Sequence, residues 1–250
     1  MTNNNMIFIA NWKMHGNLKD ISKVNLVSKF INQKKFKKNK VIYCPPYTLL
    51  NTFNHKFKNT KILIGAQNCH DHADYGPFTG SISAKLIRNS GAKFVILGHS
   101  ENRTEGETDH IINKKITSAL NNNLKVIFCV GESLREKRKK ITSNVLRRQI
   151  SKGLDKIKNL NNIIIAYEPI WSIGTGIIPK QYEIEKNIQT IKKTISKFKK
   201  KSNTKILYGG SVNPNNAYEI SKIRELDGFL IGGASLNPKK FIDIIKKSSN

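Results

Sequence analysis

Glu168 stands directly after the apolar run Ile163 to Tyr167 and directly before Pro169. The next segment reads Ile170-Trp171-Ser172-Ile173-Gly174-Thr175-Gly176-Ile177-Ile178-Pro179. A carboxylate at a strand end is commonly half of a surface ion pair. One joined to a glycine-containing segment with a proline near each end is placed to be a general base under a hinged lid. His99 follows Val95-Ile96-Leu97-Gly98 and is either a satisfied structural histidine or an acid/base group. Asn11 and Lys13 follow the apolar run Ile7 to Ala10, which puts a neutral donor and a fixed cation at another strand end. Two turns, Gly209-Gly210-Ser211 and Gly232-Gly233-Ala234-Ser235, offer unhindered backbone N–H groups near expected helix starts, the chemistry of a phosphate cradle. Taken singly, each turn also reads as an ordinary loop.

Positioning these groups requires a repeating scaffold. Eight short runs rich in β-branched residues recur along the chain: Ile7 to Ala10, Val41 to Cys44, Ile62 to Ala66, Phe94 to Gly98, Val126 to Val130, Ile163 to Tyr167, Ile206 to Gly209 and Phe229 to Gly232. They hardly alternate, as expected of parallel strands covered on both faces. Amphipathic stretches lie between them, at Lys19 to Ile31, Ser83 to Ser90, Thr108 to Asn121, Thr142 to Ile157, Gln181 to Phe198, Asn215 to Ile223 and Pro238 to Ile245. The pairs Asn213-Pro214 and Asn237-Pro238 mark helix starts. An open doubly wound sheet has the same alternation. A closed (β/α)8 barrel, class α/β, is favoured because the unusual residues follow nearly every strand, and only a barrel gathers all strand ends on one rim. With no linker or composition shift, residues 1–250 are expected to form a single domain.

Composition bounds the remaining readings. The chain of 250 residues is 38% hydrophobic, enough for a substantial core, and no apolar run approaches the ~18 residues of a membrane span. Met1 to Met6 has neither a basic leader nor a long apolar segment, so it is expected to be a tail rather than a signal peptide, and the protein cytoplasmic. Cys44, Cys69 and Cys129 lack metal-ligand spacing and are expected to be free thiols.

Lys+Arg 44 against Asp+Glu 17 gives a formal charge of +27, which raises a second reading, a basic nucleic-acid-binding protein. Lysine carries most of that charge, whereas specific phosphate and base recognition favours arginine. The dense runs Lys34 to Lys40, Arg135 to Lys140 and Lys192 to Lys201 read as solvated helix faces, so no specific nucleic-acid partner is expected.

Taken in order, the segments Asn11-Trp12-Lys13-Met14, Gly65-Ala66-Gln67-Asn68, Gly98-His99-Ser100-Glu101, Cys129-Val130-Gly131-Glu132, Ala166-Tyr167-Glu168-Pro169 with its lid, Tyr208-Gly209-Gly210-Ser211-Val212 and Gly228 to Leu236 closely resemble the triosephosphate isomerase family, over essentially the whole chain. The resemblance implies the (β/α)8 TIM barrel that takes its short name from this family. It also implies interconversion of dihydroxyacetone phosphate and D-glyceraldehyde 3-phosphate through an enediolate, in glycolysis and gluconeogenesis, without metal or cofactor. By the same resemblance Glu168 is the base, His99 the electrophile that shuttles protons between oxygens, Lys13 the fixed charge and Asn11 a neutral donor. The phosphate falls to the backbone N–H groups of Gly174, Ser211, Gly232 and Gly233. Glu101 supports Lys13, Ser100 is a further supporting residue, and Tyr208 and Ser211 hold the closed lid. Lid closure, for which this family is a standard illustration, protects the enediolate from losing phosphate.

The family also implies a homodimer in which the Gln67 to Gly80 loop enters the neighbouring subunit and Thr79 supports that subunit's Asn11 and Lys13. Three positions depart from the family's common pattern: His15 for asparagine, Ser81 for an acid and Asn102 for arginine. The last two remove a charge pair that usually crosses the interface. Ile177-Ile178-Pro179 is also a stiff second hinge for the lid.

Overall fold

The computed structural model describes residues 5–72, 74–198 and 203–249. Of the expected tail Met1 to Met6, residues 1–4 lie outside the described residues, as do 199–201 at the end of the Lys192 to Lys201 run, whereas Met6 is no tail: it is buried, with its N–H on Asn39 Oδ1 at 3.1 Å. Eight parallel strands close into a barrel: β1 (Ile7–Asn11), β2 (Lys40–Cys44), β3 (Ile62–Ala66), β4 (Phe94–Leu97), β5 (Lys125–Val130), β6 (Ile163–Tyr167), β7 (Lys205–Tyr208) and β8 (Gly228–Ile231). Each strand pairs with the next in sequence, and β8 closes on β1 with Ile7 opposite Gly228 and Ala10 opposite Ile231. Closure depends on residue 228 lacking a side chain. Its φ is +150°, and a Cβ there would stand 1.9 Å from the Ile7 carbonyl oxygen.

The strands alternate between two apolar environments. Ile7, Ile9, Ile42, Cys44, Phe94, Ile96, Ile127, Cys129, Ala166, Leu207 and Leu230 fill the barrel interior. Phe8, Ala10, Val41, Tyr43, Phe128, Ile165 and their equivalents belong to the larger layer shared with the surrounding helices. Burial on both faces explains why the strands read as continuous apolar runs.

The helices are α1 (Leu18–Ile31), α2 (Tyr47–Phe57), α3 (Ala84–Asn89), α4 (Ser100–Thr104), α5 (Asp109–Asn121), α6 (Leu134–Arg138), α7 (Thr142–Gly153), α8 (Gln181–Ser196), α9 (Ala217–Ser221) and α10 (Pro238–Ser248). Asn17 starts α1 with a capping box shared with Asp20, a device worth ~1 kcal/mol. By contrast, α2 carries no start signal in the sequence, because it begins after Pro46 without a side-chain cap. Its reason to be helical is tertiary: Leu49, Leu50, Phe53 and Phe57 are buried against the barrel. Among the described residues no helix is long and apolar enough to cross a membrane.

Three local expectations are corrected. The Lys34 to Lys40 run forms turns leading into β2, not a helix face. The Asn213-Pro214 pair does not open a helix; residues 213–216 turn, with the Asn213 N–H bound to Asn216 Oδ1 at 2.9 Å, and only Ala217–Ser221 is helical. Likewise α7 ends at Gly153 rather than continuing to Ile157. Cys44, Cys69 and Cys129 are free and buried, as expected.

Candidate active site

Strand alternation carries the interior parity to the rim. Ile7 and Ile9 point inward, so two residues further Asn11 does also; Ile164 and Ala166 set the same parity for Glu168. Asn11 and Glu168 are both buried. His99 reaches the rim differently. Gly98 takes φ +71°, and the chain turns there into α4, for which His99 is the N-cap residue. Lys13 also sits in the left-handed region at φ +53°. Its N–H donates to Asn11 Oδ1 at 3.1 Å, and the Gln67 amide donates to its carbonyl at 2.8 Å.

These side chains converge. Glu168 Oε1 lies 3.3 Å from His99 Nε2. The N–H of Glu101 donates to His99 Nδ1 at 3.3 Å, so Nδ1 is the acceptor and the ring proton sits on Nε2, aimed at Glu168. Burial raises the Glu168 carboxyl above the ordinary glutamate value; His99, the Cys129 thiol, the Ser100 N–H and the Lys13 charge pull the other way. The Lys13 ammonium is tied to Glu101 Oε1 at 2.5 Å, a contact that sets the reach of the flexible lysine. A Cβ on Gly131 would collide with the Glu168 carbonyl at 1.7 Å, so the end of β5 presses directly on the Glu168 backbone.

Asn11, Lys13, His99, Glu168, Gly174, Ser211, Gly232 and Gly233 all line one cavity of about 540 Å³. Gly233 is informative. Its φ is not left-handed and nothing stands within 4 Å of where its Cβ would be, so neither backbone geometry nor packing within the protein calls for glycine. The Gly232-Gly233 turn opens a short 3-10 segment, Gly233–Leu236, while the Gly209 to Ser211 turn leads only into further turns.

The lid begins with a 3-10 turn at Ile170–Ser172, and Gly174 and Gly176 both have positive φ. Its start is docked on Glu132, buried at the end of β5. The Trp171 indole N–H donates to Glu132 Oε1 at 2.8 Å and the Ile170 N–H to the Glu132 carbonyl at 3.0 Å. The Tyr208 hydroxyl and the Ser211 amide both reach the lid at the Ser172 hydroxyl.

Sequence reasoning brought out the residues at the strand ends and missed those that support them. Glu132 stood in a quoted motif with no role. Gln149 gave no signal: from α7 it accepts the Gly131 N–H at 2.8 Å and donates to the Gly131 carbonyl at 3.0 Å, fixing the peptide against Glu168. Ser172 was visible only as a polar residue inside the lid.

A closed parallel barrel with a buried carboxylate and histidine, a tethered lysine and glycine turns on its carboxyl-terminal rim defines a phosphate-handling (β/α)8 barrel enzyme of the proton-transfer type. The family model described as Triosephosphate isomerase matches residues 6–248. The triosephosphate isomerase of Dictyoglomus thermophilum is 39% identical over 247 residues, covering 96% of this chain and 98% of that protein. The Aquifex aeolicus triosephosphate isomerase is 39% identical over 245 residues, with 96% and 98% covered. The crystal structure of triosephosphate isomerase from Bartonella henselae superposes with a TM-score of 0.89 at 34% identity, covering 97% of this chain and 98% of that one. The chain belongs to the triosephosphate isomerase family. The nucleic-acid reading finds no support in fold, site or relatives.

Proposed function

We propose that this chain interconverts dihydroxyacetone phosphate and D-glyceraldehyde 3-phosphate, and the observation that carries the reading is the buried Glu168–His99 pair at 3.3 Å, in the cavity that also holds Lys13 and the glycine turns. The Glu168 carboxylate takes a proton from the hydroxymethyl carbon of the ketose. The C–H electron pair becomes the C=C bond of the enediolate, and charge moves to the carbonyl oxygen. His99 Nε2–H and the Lys13 ammonium face that charge, with Asn11 as a neutral donor. His99 exchanges protons between the two oxygens, and Glu168 returns its proton to the neighbouring carbon to give the aldose. The N–H groups of Gly174, Ser211, Gly232 and Gly233 hold the phosphate, and lid closure keeps water out. Base, oxyanion donor and fixed charge all come from the chain, so the reading includes no metal or cofactor. Glu101 and Ser100 act on Lys13 and Glu168, and Tyr208 acts on the lid.

We read the chain as a single barrel domain that works as a cytoplasmic homodimer. Met14, next to Lys13, is 94% exposed, and in the Gln67 to Gly80 loop Tyr75 is exposed while Phe78 packs against the His70 and His72 rings. A second copy covering Met14 with that loop would bring Thr79 to the partner's Asn11 and Lys13. A coupled assay with purified protein tests the activity: isomerisation of D-glyceraldehyde 3-phosphate, abolished in E168A, is expected, and a folded but inactive wild type would overturn it.

A further inference from the structure

Ser172 closes the 3-10 turn that opens the lid, and none of its surface reaches solvent. Its hydroxyl donates to the Ile177 carbonyl at 2.5 Å, lies 3.3 Å from the Tyr208 hydroxyl, and receives the Ser211 N–H at 3.4 Å. A serine hydroxyl has one proton and two lone pairs. With its proton given to Ile177, Tyr208 must be the donor to Ser172, and the oxygen is then saturated. The Tyr208 phenol keeps its proton because burial pushes it up to about 12. A Cβ at residue 210 would fall 2.2 Å from the Tyr208 hydroxyl and 3.0 Å from Ser172 Oγ, so the two hydroxyls meet in space that only glycine leaves open.

The three contacts join the start of the lid, Ile177 towards its far end, and the turn after β7. The intervening residues fold around the same point. The Thr175 hydroxyl donates to the Ser172 carbonyl at 3.1 Å and accepts the Ile177 N–H at 3.1 Å. Ser211 is also one of the amides assigned above to phosphate, and a single N–H cannot serve Ser172 and a phosphate oxygen in good geometry at once.

We propose that Ser172 is a positioning residue that couples phosphate binding to the lid, its hydroxyl holding both lid ends against the β7 turn while occupying the Ser211 N–H that phosphate takes. The inference rests on the phosphate-cradle reading of the proposed function. A dianion forms the stronger, charge-assisted hydrogen bond, so arriving phosphate wins the Ser211 N–H from a neutral hydroxyl. The lid then stays anchored through Ile177 and Tyr208.

Inorganic phosphate is the probe, followed by the fluorescence of Trp171 in wild type, S172A and S172T, beside kcat and KM for D-glyceraldehyde 3-phosphate. Removing the hydroxyl frees Ser211 but releases Ile177. S172A is expected to bind phosphate about threefold more tightly while kcat falls roughly tenfold, with S172T recovering most of both. Packing alone would weaken both together. Phosphate affinity that is unchanged or weaker in folded S172A overturns the proposal. Should S172A not fold, S172C, a weak donor of similar size, must show the same opposite movements, and their absence is equally decisive. If wild type lacks isomerase activity, the proposed reaction fails by itself, and the phosphate titration still decides for or against Ser172.

Discussion

Glu168 Oε1 lies 3.3 Å from His99 Nε2, and both side chains are nearly sealed from solvent. Burial makes that carboxylate a stronger base than an exposed one, while His99 and the Ser100 N–H keep its ionised form within reach. The acid limb of kcat/KM is therefore expected to inflect above the ordinary glutamate value of 4.5. Stability follows the same linkage. A raised carboxyl pKa means the folded chain holds the proton more tightly than the unfolded chain, so its contribution is complete below the ordinary value and lost as pH rises through the folded value. The thermal midpoint of E168Q should pull ahead of wild type as pH rises above the ordinary glutamate value of 4.5. A difference that shrinks with pH would contradict the shift.

E168D retracts the carboxylate by about an ångström while keeping its charge. Turnover should fall by roughly two orders of magnitude with the fold intact. Steady-state kinetics and circular dichroism read the two quantities, and full activity would remove Glu168 as the base.

The empty space at Gly233 separates binding from stability. G233A meets no neighbour within 4 Å and no positive φ, so its melting temperature should stay level or rise slightly. KM should nevertheless rise by about tenfold, since the new methyl enters space left for the phosphate. A large loss of stability with unchanged KM would mean that the glycine serves the fold.

In the proposed dimer, Ser81 and Asn102 would together leave the contact without either partner of the family's usual charge pair, so neither charge would be buried alone. Subunits of formal charge +27 repel one another through their exposed lysines, and salt screens that repulsion. Sedimentation at several ionic strengths should show a dimer that tightens as salt is added. A fully active monomer, or dissociation in salt, would sink the dimer reading.

What could be read from the chain alone divides along physical lines. Strands buried on both faces leave continuous apolar runs, and chemically unusual residues at their ends stand out, so Asn11, Lys13, His99 and Glu168 were legible. The α2 helix was not, because Leu49, Leu50, Phe53 and Phe57 form its buried stripe without a capping residue to announce it. Gln149 was invisible because its partner Gly131 is distant in sequence and the contact is to backbone. The lysine run at Lys34 to Lys40 misled, since charge density reports exposure and says nothing about helix or turn.

The shared parity of Ile164, Ala166 and Glu168 has a consequence for how such a chain tolerates change. A substitution at the rim leaves the layers beneath it untouched, so new chemistry can be tried at the top without renegotiating the interior. A one-residue deletion inside β6 is another matter: it would reverse the parity of the residues after it relative to those before it, and so swing the carboxylate away from His99 in a single event. The molecule is thus modular along the barrel axis and indivisible in strand register, and insertions and deletions should be admitted between strands while being purged from within them.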